Sequence, residues 1–129
     1  MIIPENKISY DIRGCAFKIH NTLGPGLFES VYEFAMTCEL MNLGYKVVNQ
    51  VCVPVVYNDV KLDKGFKADI LVDDLVFVEI KSVETLLNVH YKQLLTYLKL
   101  SGKKLGILIN FNSDSLIDKQ SIIRIVNNL

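Results

Sequence analysis

The sequence predicts an α/β protein, a mixed β-sheet core flanked by helices, on three observations. Two stretches of helical periodicity come first, a run of β-branched and aromatic strands follows, and a further helix separates those from two more strands.

Ile8, Ile12, Cys15, Ala16, Ile19 and Leu23 recur at three- and four-residue steps behind a cap at Ser9, predicting a helix from about Tyr10 to Leu23. Gly24-Pro25-Gly26 stops it. A second helix is predicted from about Glu29 to Leu43, with Val31, Tyr32, Ala35, Met36 and Leu40 on its apolar side and Gly44 as its stop. From Tyr45 the pattern changes to "YKVVNQVCVPVVY", "VKL", "GFKADILV" and "LVFVEIKS", an antiparallel meander with turns at Asn58-Asp59 and Asp73-Asp74. Pro54 lacks an N–H for the ladder, so its strand lies at an edge or carries a bulge there. Asn88 to Leu100 returns to helical spacing, with Tyr91, Leu94, Leu95 and Leu98 as the core stripe and Gly102 as the stop. "KLGILINF" reads as a buried strand, and "SIIRIVNNL" as a last strand, with a short helix as the alternative.

A chain of 129 residues, half of them hydrophobic, suits one domain over 1–129. Such a domain buries roughly two-thirds of the surface its unfolded form exposes. Lys and Arg number 14 and Asp and Glu 14, which excludes the generally basic kind of nucleic-acid or membrane binder and leaves any such role to a local patch. The start carries no secretory pattern and no apolar run is long enough for a bilayer, so a cytoplasmic protein without a membrane partner is expected. Cys15, Cys38 and Cys52 show no metal or disulfide spacing and are expected to be buried thiols.

In "LVFVEIKS", a strand of Val and Phe ends on Glu79 and Lys81. Alternation places both on one face and Ile80 on the other, with Val76 and Val78. By itself such a pair is a strand-end ion pair contributing well under about 1 kcal/mol. Asp69, on the preceding strand, changes the balance, because a hairpin can bring it beside Glu79. A two-residue turn at Asp73-Asp74 pairs Val72 with Leu75 and sends the two acids to opposite faces. A three-residue loop, or one bulge, sets Asp69 opposite Glu79, and that geometry is the expectation.

Two carboxylates about 4 Å apart repel by roughly 4 kcal/mol at an effective dielectric of 20, which a divalent cation offsets. Oxygen donors without Cys or clustered His favour Mg²⁺ or Mn²⁺ over zinc, and these ions keep bound water. Such a water can attack a phosphodiester while the Lys81 ammonium holds it or stabilises the developing charge.

Asp69 followed by Glu79-Ile80-Lys81 is similar to the active-site signature of the PD-(D/E)XK nuclease superfamily, whose members share a restriction-endonuclease-like core. Gln93 and Tyr97, on one face of the third helix, resemble the Q-x-x-x-Y of its helicase-associated exonuclease branch, with His90 three residues earlier on that face. More closely, "GLFESVY" at Gly26 to Tyr32 looks like the signature of the small bacterial family named for G-x-x-E-x-x-Y. The match continues through "ADILV", "VEIKS", "HYKQLLTYLKLSG" and "LGILINF", covering about Ser9 to Phe111. The resemblance implies Asp69 and Glu79 as metal ligands, the Ile80 carbonyl as a further ligand, Lys81 as catalytic lysine and Glu29, the first-helix acid, as another catalytic residue and metal ligand. Gln93, Tyr97 and His90 become outer-shell or substrate-positioning groups. Ala68 departs from the nominal Pro before the aspartate. The implied activity is Mg²⁺- or Mn²⁺-dependent hydrolysis of nucleic acid, DNA ahead of RNA.

Each residue also has a structural reading. Glu29 suits a helix first turn without any metal, Tyr32 suits the core, Gln93 and Tyr97 suit a helix–sheet interface, and His90 and His20 suit packing or solvent. Lys61, Lys64, Lys67, Lys92, Lys99, Lys103 and Lys104 read first as a solvated face. Yet residues 61–104 hold eight Lys against six acids, enough for a local phosphate-tracking groove. Trp is absent, which argues against a dedicated single-strand reader. Two rivals stand beside a nuclease: a non-catalytic module that keeps the nuclease fold for assembly or nucleic-acid docking, and an enzyme using the same constellation on another substrate. The intact acids and lysine count against the first. A homodimer is compatible with a domain this small, although no surface is marked for it.

Overall fold

The computed structural model describes residues 2–129, and the backbone only of Asp63 and Lys64. The role expected of Lys64 therefore lies outside the described side chains. Helix α1 spans Pro4–Leu23 and starts earlier than predicted, because Pro4 occupies the first turn, where its missing N–H costs nothing. Ser9 is accordingly interior to the helix and caps nothing. Helix α2 spans Glu29–Asn42 and buries Tyr32, Met36 and Leu40, while Val31, expected on its apolar side, is exposed.

Among the described residues five strands follow the two helices: β1 Val47–Tyr57, β2 Val60–Val72, β3 Val76–Lys81, β4 Leu105–Asn110 and β5 Ile122–Val126, with α3, Asn88–Ser101, between β3 and β4. They form one mixed sheet in the order β1-β2-β3-β4-β5. Only β3 and β4 are parallel, as the α3 crossover between them requires. The expected architecture is thus observed, including a strand for the C-terminal segment.

"VKL" and "GFKADILV", predicted as separate pieces, are one strand interrupted by a register shift opposite Pro54. Both expectations for Pro54 hold: β1 is an edge strand and the irregularity is there. Gly65 permits it, since a Cβ at that position would stand 2.1 Å from the Val53 carbonyl oxygen.

Both hairpin turns use left-handed Asn and Asp residues, which tolerate that conformation. Asn58 and Asp59, at φ 50° and 62°, make a two-residue connection closed by Tyr57 opposite Val60. Asp73 and Asp74 do the same at 50° and 58°, but Leu75 joins them, and the pair that closes this loop is Val72 and Val76. The odd-length loop expected from the sequence is therefore present.

One face of the sheet, with Ile70, Val72, Val76, Val78 and Ile80, packs against α1 and α2. The other, with Ala68, Leu71, Phe77 and Leu108, takes Leu94, Tyr97 and Leu98 of α3. Tyr97 replaces Leu95 and Tyr91 in the predicted stripe, and those two are only half-buried. Of the cysteines Cys15 alone is buried, whereas Cys38 and Cys52 are exposed, which corrects the expectation of three buried thiols. Among the described residues no helix is long and apolar enough to cross a membrane.

Candidate active site

Strands β2 and β3 pair from Val72–Val76 to Ile70–Val78 and no further. The same register would next set Asp69 against Glu79, and there side chains take over from the ladder. The Asp69 N–H donates to Glu79 Oε1 at 2.8 Å, and the Ile80 N–H donates to Asp69 Oδ2 at 2.8 Å. Each carboxylate thus fills a hydrogen bond that the separating strand would have left open. The amide and carbonyl of one strand residue leave on the same side, so the Ile80 carbonyl also faces β2. The Lys81 Nζ lies 3.8 Å from Glu79 Oε2, on the face that alternation predicts.

This corner carries more negative charge than its surroundings compensate. Burial, and then the charge of Asp69, pushes the Glu79 carboxyl up to about 8, against the bond from the Asp69 amide and the field of Lys81. Asp69 is also raised, by burial first and by Glu29, while the Ile80 N–H and Lys81 oppose the shift. Tyr97 on α3 is pushed up to about 12 by its own burial and then by both acids, which places its hydroxyl within their field.

Glu29, the first residue of α2, is exposed and accepts the Ser82 N–H through Oε2 at 3.0 Å. The loop before it is held by Tyr32, whose hydroxyl donates to the Gly24 carbonyl at 2.6 Å and accepts the Leu27 N–H at 3.2 Å. The Tyr32 ring is fully buried and stacks on Phe111 with centroids 4.5 Å apart. Ser82 Oγ donates to the Leu27 carbonyl at 2.7 Å, tying the same loop to the end of β3. Tyr32→Phe should keep the stack but orphan two backbone groups, lowering stability by about 1–3 kcal/mol in chemical denaturation and loosening Glu29 from Ser82.

The other expected residues are placed as follows. Gln93 is half-buried on α3, one turn before Tyr97, and among the described residues it hydrogen-bonds neither carboxylate. His90 uses Nδ1 to accept the Leu87 N–H at 3.0 Å, capping α3. His20 is buried, with Nε2 2.7 Å from the Ser113 carbonyl oxygen. Lys61, Lys67, Lys92, Lys99 and Lys104 are exposed, and Lys103 is held 3.1 Å from Asp74.

Two residues here carry no mark in the sequence. Gln50 of β1 donates through Nε2 to Glu33 Oε1 at 2.8 Å and to Asp69 Oδ1 at 3.4 Å. Glu33, one turn after Glu29, also accepts from Asn49 Nδ2 at 3.1 Å, and burial and the charge of Asp69 raise its carboxyl.

The donor set suits a hard divalent cation: oxygens only, and a carboxylate pair in charge excess. Among the described residues no three His, Cys, Asp or Glu side chains close on one point. The protein would therefore supply two carboxylates and a carbonyl, with water for the rest, as Mg²⁺ tolerates.

An α/β sheet with acids interlocked where two central strands part, and a lysine two residues on, is a restriction-endonuclease-like fold. A sequence profile of the PD-(D/E)XK nuclease superfamily matches residues 6–125, and the chain belongs to that superfamily. No curated protein and no solved structure gives a significant match. Membership suggests a nuclease and implies a nucleic-acid substrate, and nucleases of this superfamily generally use divalent metals.

Proposed function

We propose that this protein is a Mg²⁺- or Mn²⁺-dependent nuclease that hydrolyses phosphodiester bonds, in DNA ahead of RNA, and that it belongs to the family with the G-x-x-E-x-x-Y signature. The observation that carries this reading is the interlocked Asp69–Glu79 pair with Lys81 beside it. A divalent cation at that corner supplies Lewis acidity toward water and phosphate.

The chain's own groups do the rest. Asp69 and Glu79 hold the cation, and the Ile80 carbonyl faces the same side. Lys81 orients the attacking water and faces the negative charge that grows on the phosphate. Glu29 adds a carboxylate at the rim, anchored on Ser82. Gln93, Tyr97 and His90 belong to the α3 wall, where Gln93 positions substrate, Tyr97 stands as an outer neighbour whose hydroxyl lies in the field of the acids, and His90 serves through the helix end it caps.

Labelled single- and double-stranded DNA and RNA, incubated with Mg²⁺ or Mn²⁺ and with a chelator as control, test the proposal. Cleavage should require the metal and disappear in Asp69→Asn. No cleavage of any substrate, together with a melting temperature indifferent to Mn²⁺, would sink it. The second reading, a nuclease-fold module that docks nucleic acid without cutting, is favoured by the absence of a three-acid cluster among the described residues. It expects binding without product.

A further inference from the structure

We infer that Gln50 is a positioning residue that fixes the Asp69 carboxylate for the cation, with Glu33 in turn fixing Gln50; this rests on the metal-dependent reading above. The first observation is the backbone. Gln50 has φ 51° inside β1, whereas Asn58, Asp59, Asp73, Asp74, Lys119 and Asn128, the other described non-glycine residues with positive φ, lie outside the strands. A left-handed residue that is neither Gly, Asn nor Asp is strained, and such strain clusters at functional sites.

The second observation is what that conformation does to the hairpin. Residues an even number apart on a regular strand share a face. Val47 nevertheless packs with the α1–α2 cluster, whereas Val51 and Val53 pack with the α3 cluster. On β2, likewise, Ile70 and Val72 belong to the first cluster and Ala68 to the second. Both strands therefore exchange faces between Asn49 and Val51 and between Ala68 and Ile70, while the register runs unbroken across that point, from Asn49 opposite Ile70 to Val51 opposite Ala68. The exchange falls where Gln50 stands opposite Asp69, and it directs the Gln50 amide between Glu33 and Asp69.

Glycine would make the exchange without strain, so the backbone alone gives no reason for glutamine. The side chain does. Its one NH₂ group bridges a helix acid and a strand acid, so that the Asp69 Oδ1 atom is steered from β1 while Oδ2 is held by Ile80. A bond of 3.4 Å is long, and a cation drawing Asp69 into place is expected to tighten it.

Gln50→Gly is the discriminating variant, because it relaxes the backbone and deletes the amide. Its metal-free melting temperature should equal or exceed that of wild type. The Mn²⁺ concentration giving half of the maximal thermal shift should rise roughly ten- to a hundredfold, the usual cost of losing an outer partner of a metal ligand. Glu33→Gln, which keeps an acceptor for the amide, should move that midpoint by less than about threefold, and Glu33→Ala should move it as far as Gln50→Gly does. If Gln50→Gly does not fold, the two Glu33 variants decide. A wild type indifferent to Mn²⁺ would remove the metal reading and this inference together. A responsive wild type whose midpoint Gln50→Gly leaves unchanged would overturn the inference alone, as would Glu33→Gln matching Glu33→Ala.

Discussion

Glu79→Gln is expected to melt higher than wild type at pH 8 in the absence of metal. In the folded protein burial and Asp69 hold the Glu79 carboxyl at about 8, against 4.5 for an unperturbed side chain. Between those values the folded state binds more protons than the unfolded state, so stability falls as pH rises through the window. This is the reverse of the usual carboxylate, whose folded value is depressed. The span corresponds to something on the order of 3–5 kcal/mol for this one group. With Asp69 shifted the same way, wild type should lose roughly 10 °C in melting temperature between about pH 5 and 8.5. The Glu79→Gln variant keeps a side-chain oxygen to accept the Asp69 N–H and removes the charge. Its melting curve, followed by circular dichroism with a chelator present, should therefore be much flatter with pH. An equally steep pH dependence in the variant would show that the charge excess lies elsewhere. Glu79→Ala is the contrasting case, for it deletes the acceptor as well and should destabilise at every pH.

Lys81→Met should reduce cleavage by about a hundred- to ten-thousandfold while nucleic acid still binds. The Lys81 ammonium lies 3.8 Å from Glu79 Oε2 on a side chain only 19 % exposed, so it is confined near the acids instead of ranging through solvent. Removing it takes away a cation that competes for Glu79, and the Mn²⁺ midpoint should stay equal or fall. Lys81→Arg should not restore the rate, because a planar guanidinium cannot present a point charge in the same place. Rates measured with product quantified on gels decide the matter. Cleavage unchanged in Lys81→Met would exclude this lysine from the chemistry.

The elements are legible in the sequence wherever one period dominates. The α3 helix and the buried β4 follow from spacing alone, and an odd-length loop at Asp73 or a bulge can be deduced because one of the two is needed to bring Asp69 and Glu79 together; the structure has the loop. Other features are hidden for physical reasons. Ser9 reads as a cap because Pro4, whose effect is to permit an earlier start, has no periodic signature. Gln50 is invisible because a left-handed glutamine is imposed by tertiary contacts, and neither its identity nor its neighbours announce it. Glu33 becomes recognisable only once Gln50 and Asn49 are seen to converge on it. His90 shares a helix face with Gln93 and Tyr97, yet its ring turns back to the start of the helix, a choice that face-sharing does not encode.

The interlock in which the Glu79 carboxylate takes the Asp69 N–H and the Asp69 carboxylate takes the Ile80 N–H bears on how a motif is read across descendants. A lineage that ceased to cut would still need both acids, or close isosteres, to seal the gap where its strands diverge. Selection for folding alone would then keep a hydrogen-bond acceptor at both positions long after turnover had gone, while being free to discard the charge of Glu79. Of the three motif residues, only the lysine is released from that duty, and its loss or retention is the better witness to a living enzyme.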